Sequence, residues 1–162
     1  MMPVFGFARS SMNKNFLSRS PEETFRFAEK MGAQLTGGEI ILFEGSLGAG
    51  KTLFTKGLAS GLGFDPDEVT SPSFALVNLY EARLDVHHID LWRLDSGSDP
   101  AFAVGLEEIL ENEKAVAVIE WSERLEGFDF GREVIVVAIS GSEEFEREIS
   151  VTRSNTRKKA KV

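Results

Sequence analysis

Eight consecutive residues, Gly45-Ser46-Leu47-Gly48-Ala49-Gly50-Lys51-Thr52, carry the most specific chemistry in this chain. They fit G-x-x-x-x-G-K-[ST], the pattern of a phosphate-binding P-loop. Gly45, Gly48 and Gly50 lack a Cβ, so the turn can take positive φ and bring backbone N–H groups close to phosphate oxygens. Ser46, Leu47 and Ala49 supply main chain to the same bend. Lys51 can reach the β- and γ-phosphates as a compact cation, and the Thr52 hydroxyl is placed to ligate Mg²⁺. The motif implies a nucleoside triphosphate and magnesium, and leaves open the base and the fate of the γ-phosphate.

A triphosphate site also needs an acid at a nearby strand end to hold Mg²⁺ or its waters. Glu120 closes the apolar run Ala115 to Ile119 and is the favoured metal-side carboxylate. Asp90 closes Val86 to Ile89 and could orient the attacking water or share the magnesium shell. Acids at strand ends also serve solubility, and the P-loop is what favours the catalytic reading. Thr70-Ser71-Pro72-Ser73 offers three hydroxyls stiffened by a proline, either a plain turn or a loop that senses the γ-phosphate. Trp121 follows Glu120 and either covers the site or packs in the core. His88, on a strand, reads as a satisfied core imidazole rather than a catalytic base.

The flanking elements suit the motif. Glu39 to Glu44 is a β-type apolar run, and Leu53, Phe54, Gly57, Leu58 and Leu62 follow at helical spacing, with the helix expected over 50–62. Its first N–H groups and the positive end of its dipole then face the same anion. Upstream, Ser20-Pro21-Glu22-Glu23 is a helix start with an N-cap, a proline at the first position and a capping-box acid. The helix should run along Phe25, Ala28, Met31 and Leu35 to Gly37-Gly38. Residues 74–80 and 86–91 read as an antiparallel pair, 95–100 as a polar loop and 102–113 as a short helix. Ala115 to Ile119 reads as a strand buried on both faces of a parallel sheet, and 134–140 with 145–152 as a closing hairpin. The expected architecture is a three-layer α/β P-loop domain with a mixed parallel and antiparallel sheet. Its span is 16–152, between an extension (1–15) without structure and a flexible basic tail (153–162).

Composition narrows the function classes. The chain has 162 residues, 42% hydrophobic and 27% charged, which suits one domain with a real core. It has no cysteine, which excludes disulfides, thiolate metal sites and cysteine nucleophiles. Its two histidines, His87 and His88, make a histidine-based zinc site improbable. The net charge is -8, although Arg153, Arg157, Lys158, Lys159 and Lys161 crowd the C-terminal tail. So acidic a body is a poor non-specific ligand for DNA or RNA. No apolar run approaches the roughly 18 residues of a membrane span, and residues 1–11 lack the apolar core of a signal peptide. A cytoplasmic location is expected.

Together these segments resemble a known family. Gly45-x-Leu47-Gly48-Ala49-Gly50-Lys51-Thr52, Val69-x-Ser71-Pro72-Ser73-Phe74, His88-x-Asp90-Leu91-x-Arg93-Leu94, Gly105 and Ile119-Glu120-Trp121 stand in the order and spacing of TsaE (also called YjeE). This is the bacterial ATPase family of tRNA threonylcarbamoyladenosine biosynthesis. The resemblance covers about residues 18–152. It implies ATP phosphates on Gly45 to Thr52, Mg²⁺ on Thr52 and Glu120, a role for Asp90 in hydrolysis, and Trp121 near the nucleotide. It also suggests adenine near Ser20 and Thr24. Its implied partners are TsaB and TsaD, which transfer the threonylcarbamoyl group, with tRNA met only through that complex and ATP hydrolysis resetting it. Three residues depart from the family's usual choice: Ser46 for Asp, Ser73 for Thr, and Trp92 for Tyr. None removes a phosphate or magnesium ligand. A nucleotide-gated binding module is the competing reading. A small-molecule kinase would need an arginine-rich lid, and a GTPase an Asn-Lys-x-Asp segment.

Overall fold

The computed structural model describes residues 13–155 apart from Leu47, Ser96, Ser142 and Glu143. Among these residues seven strands form one sheet: β1 (Lys14–Ser18), β2 (Ile40–Glu44), β3 (Val77–Tyr80), β4 (Asp85–Asp90), β5 (Ala115–Glu120), β6 (Glu133–Ser140) and β7 (Arg147–Asn155). Their order is β1-β7-β6-β2-β5-β4-β3. The central pairs β6–β2, β2–β5 and β5–β4 are parallel, and the outer pairs are antiparallel. Helices α1 (Pro21–Ala33) and α2 (Lys51–Gly61) lie against one apolar cluster, with α3 (Pro100–Val104) and α4 (Leu106–Glu111) at the other. This is the expected three-layer mixed-sheet architecture. β5 is buried at all six positions, as a strand covered on both faces must be.

Helix α1 starts as its sequence dictates. Ser20 Oγ accepts a hydrogen bond from the Glu23 amide at 3.1 Å, and Glu23 Oε2 accepts one from the Arg19 amide at 2.7 Å. It ends at Ala33, four residues before the expected glycine stop. Gly37 and Gly38 instead turn the chain into β2, with φ of 108° and 85°. A Cβ on Gly37 would stand 2.6 Å from the Glu113 carbonyl oxygen. The Glu39 carboxylate closes that turn by accepting from the amides of Thr36 and Gly37.

Three further differences have local causes. The helix expected over 102–113 is two short helices, because Gly105 takes φ 66° and ends α3 before α4 begins. Residues 74–76 turn rather than extend, with Leu76 at φ 67°. Lys14 and Asn15, read from sequence as extension, pair with Val151 and Ser150 on β7, which itself runs to Asn155. The rest of the extension, 1–12, and of the tail, 156–162, lie outside the described residues.

Burial depresses the His87 imidazole below its ordinary value, against a smaller opposing pull from Asp85. An unfolded chain with a histidine of ordinary pKa, about 6.5, then takes up the proton before the folded chain does. His87 therefore costs stability as pH falls from about 6.5 toward its depressed folded value. His87→Gln should lose less melting temperature than the parent between pH 7.5 and 5.5, measured by calorimetry. Equal losses in the two proteins would contradict this.

Candidate nucleotide site

The P-loop bend needs its glycines for two different reasons. Gly45 sits where β2 leaves the sheet, and a Cβ there would lie 2.7 Å from the Ile139 carbonyl oxygen on β6. Gly48 and Gly50 face open space but hold φ of 80° and 105°, where a side chain is strained. The Ala49 amide closes the bend on the Ser46 carbonyl oxygen at 3.1 Å. From the far side, Arg147 Nε donates to the Ala49 carbonyl oxygen at 3.2 Å. Gly50 caps α2 without a side-chain hydrogen bond, and the helix's first internal bond runs from Phe54 N to Gly50 O. The amides of Lys51, Thr52 and Leu53 therefore lack an intrahelical acceptor and mark the positive end of the dipole. Leu47 lies outside the described residues.

The bend opens onto a cleft of about 430 Å³. Gly48, Gly50, Lys51 and Thr52 line it from the P-loop, and Ser71 and Ser73 from the loop ahead of β3. Asp90 and Glu120 line it from the ends of adjacent parallel strands, where they are paired in register. Both acids are largely buried, at 6% and 5% exposure. Asp90 accepts from the Trp92 amide at 2.9 Å and, more loosely, from Ser71 Oγ at 3.4 Å. Glu120 Oε2 lies 2.7 Å from His88 Nε2. Trp92, Arg93 and Trp121 complete the lining.

Among the described residues, two that are not glycine hold left-handed backbone: Trp121, which lines the cleft, and Leu76, which is bonded to Asp90. Trp121 has φ 59°, which turns its ring beneath the Lys51 ammonium (4.9 Å to the centroid) and against Trp92 (4.3 Å between centroids). Lys51 Nζ also donates to the Gly45 carbonyl oxygen at 3.1 Å. Leu76 has φ 67°, and its carbonyl oxygen accepts from the Asp90 amide at 2.9 Å while its own amide donates to Pro72 O. The serine loop is thereby tied to the strand that carries Asp90. Strain of this kind, about 1–3 kcal/mol per residue, persists where surrounding contacts over-determine it.

Most residues singled out from the sequence meet here: Gly48, Gly50, Lys51, Thr52, Ser71, Ser73, Asp90, Glu120 and Trp121, whereas Gly45, Ser46 and Ala49 shape the bend without lining the cleft. Ser20 and Thr24 are not brought into this cleft. Ser20 Oγ caps α1, and the buried Thr24 hydroxyl lies 2.6 Å from Ser18 Oγ. Arg93, known from the sequence only as a motif position, lines the cleft with its guanidinium stacked on Phe74 at 4.3 Å, and Arg147 behind the loop carries no sequence signal of its own. His88 is the buried, hydrogen-bonded imidazole that its strand position suggests, and a strand period of two puts it on one face with Asp90.

Strand, glycine bend and uncapped helix, set in a mixed sheet with helices on both faces, define a P-loop α/β domain. The comparisons narrow this further. Residues 18–149 match the sequence profile described as "Threonylcarbamoyl adenosine biosynthesis protein TsaE". The tRNA threonylcarbamoyladenosine biosynthesis protein TsaE of Treponema pallidum is 43% identical over 109 residues, covering 67% of this chain and 78% of that protein. The Aquifex aeolicus protein of the same name is 34% identical over 142 residues, covering 86% and 96%. The crystal structure of Bacillus subtilis YdiB superposes with a TM-score of 0.71 at 30% identity, covering 93% and 91%. The chain belongs to the TsaE family. Among the described residues, no helix is long and apolar enough to cross a membrane.

Proposed function

We propose that the chain is an ATPase that binds Mg-ATP on Gly45–Thr52 and hydrolyses it to drive or reset a TsaB–TsaD complex forming N6-threonylcarbamoyladenosine beside the anticodon of tRNA. The observation that carries this reading is a convergence in one cleft. The uncapped amide end of α2, the Lys51 ammonium, the Ser71 and Ser73 hydroxyls and two buried carboxylates all border the same space. A cytoplasmic protein that meets tRNA only through its partners agrees with the acidic body.

The donor set suits magnesium. Thr52, Asp90 and Glu120 offer hard oxygens, and two carboxylates side by side favour a neighbouring cation. Among the described residues no three His, Asp or Glu side chains form a metal cage. That fits an ion shared with phosphates rather than one held by protein alone. Thr52 and Glu120 would hold it. When bound, magnesium would neutralise charge on the β- and γ-phosphate oxygens.

The chain's own groups then have defined tasks. The α2 amides and Lys51 hold the phosphates and stabilise charge that moves toward the β–γ bridging oxygen. Asp90, steadied by the Trp92 amide and Ser71, orients a water for in-line attack on the γ-phosphorus. The new P–O bond forms as the bond to the ADP oxygen breaks. Ser71 and Ser73, which line the cleft, would sense whether the γ-phosphate is present, and Trp121, which lines it too, would border the nucleotide.

Lys51→Ala is expected to weaken ATP binding by about 2 kcal/mol, or on the order of 30-fold, by removing a charge-assisted contact. Titration calorimetry measures this, and unchanged affinity would contradict the site. The function as a whole is tested by ATP turnover with and without the TsaB–TsaD pair and tRNA. Slow turnover alone and a marked increase with the pair are expected. Turnover indifferent to the pair, or a pair that modifies tRNA equally well without this chain, would overturn the reading.

A further inference from the structure

The ring of His88 has no exposed surface, yet both of its nitrogens have partners. Nε2 lies 2.7 Å from Glu120 Oε2 and Nδ1 lies 3.0 Å from the Tyr80 hydroxyl. Tyr80 Oη is in turn 2.9 Å from the Thr70 carbonyl oxygen, at the start of the serine loop. A row of three buried side chains thus runs from that loop to the carboxylate at the end of β5.

The Tyr80 hydroxyl donates to the Thr70 carbonyl oxygen, which also receives Asn78 Nδ2 at 3.2 Å, and its oxygen stands beside Nδ1. Burial pushes the Tyr80 phenol up from its ordinary value, so it keeps its proton at neutral pH. The imidazole is held at both nitrogens and cannot turn without breaking a buried hydrogen bond.

We propose that His88, its ring held from behind by Tyr80, is a positioning residue that grips Glu120 Oε2 and so presents Oε1 alone to the cleft. This rests on the reading of the cleft as a magnesium–nucleotide site. Glu120 then offers a cation, or its coordinated water, one oxygen in one orientation rather than a freely rotating carboxylate. Partners of this kind around a metal ligand are worth about 10- to 100-fold in metal affinity. The coupling also reaches the serine loop, since Tyr80 touches both His88 and Thr70.

The first test is spectroscopic and needs no metal. In the full chain without nucleotide, Glu120→Gln is expected to shift the His88 imidazole Nε2 resonance in ¹⁵N spectra. An unmoved resonance would overturn the proposal. The second test measures how nucleotide affinity depends on free Mg²⁺, using a non-hydrolysable ATP analogue. His88→Ala should raise the Mg²⁺ concentration required by about 10- to 100-fold and leave magnesium-free binding unchanged. His88→Gln, whose amide can reach the Nε2 position, should recover most of the loss, whereas the shorter His88→Asn should not. Tyr80→Phe should raise the Mg²⁺ concentration required less than His88→Ala does. Equal magnesium dependence in parent, Gln and Asn proteins would sink the positioning role. A parent protein that binds no nucleotide would sink the Mg-ATP reading instead, and the ¹⁵N comparison would still decide whether His88 holds Glu120.

Discussion

Asp90→Ala should bind Mg-ATP within a few-fold of the parent affinity and lose at least about 100-fold in turnover, the low end of what a positioned acid–base group contributes. The carboxylate borders the cleft with only 6% of its surface exposed and is held by two donors, the Trp92 amide and the Ser71 hydroxyl. Removing it deletes the group that orients water and leaves the phosphate-binding amides and Lys51 untouched. The Trp92 amide also loses its acceptor, a structural cost of about 1 kcal/mol. Asp90→Asn separates the two effects, because the amide oxygen can still accept from Trp92 while the charge is gone. Asn and Ala proteins that are equally slow would assign the loss to the charge. If Asp90→Ala binds ATP, turns none over and still supports full tRNA modification, the chain is a nucleotide-gated module and hydrolysis is incidental.

Gly61→Val is expected to lower stability by about 3 kcal/mol or more, which for a domain of this size is a fall in melting temperature on the order of 10 °C. Helices α1 and α2 touch backbone to backbone through Gly32, Gly57 and Gly61. A Cβ on Gly61 would collide with the Glu29 carbonyl oxygen, and one on Gly57 would stand 2.6 Å from both the Phe25 carbonyl oxygen and the Ala28 Cβ. Main chain cannot rotate away as a side-chain tip can, so relief means parting two helices that cover Phe43, Phe54 and Leu58. Gly63→Ala is the contrast: φ is 88°, nothing lies within 4 Å of the added carbon, and the cost is backbone strain of about 1 kcal/mol. Thermal melts of the two variants that coincide would show that the interhelical contact is looser than the geometry states. The same contact bears on function, because α2 carries Lys51 and Thr52 at its first two positions.

Where the physics is local, expectation and structure agree. The P-loop bend is a matter of which residues tolerate positive φ, so eight letters suffice to mark Gly45 to Thr52. Ser20, Pro21 and Glu23 begin a helix because capping is settled within four residues. The all-apolar run before Glu120 could be stable only between two covered faces, and it lies inside the sheet between β2 and β4. Where a neighbour decides, the reading falters. The short β1 is a strand because β7 offers it a free edge, and Lys14–Ser18 carries no strong β signal of its own. The glycine pair at 37–38 suits a helix stop as well as a turn, and its approach to Glu113 selects the turn. Gly105 breaks the helix expected over 102–113 at a point that periodicity alone does not reveal.

The sequence by itself determined the chemistry available: a cradle of amides, a lysine, a hydroxyl and two strand-end acids. It also determined that no thiol takes part. Only the tertiary structure decided which acid meets which partner. Glu120 and His88 are 32 residues apart and touch because β4 and β5 are parallel neighbours with His88 opposite Val118 and Asp90 opposite Glu120. Strand order is chosen by the burial of whole faces and the closing of crossovers, so it leaves no mark at either residue. Local bonding selects the parts, and long-range packing selects their company.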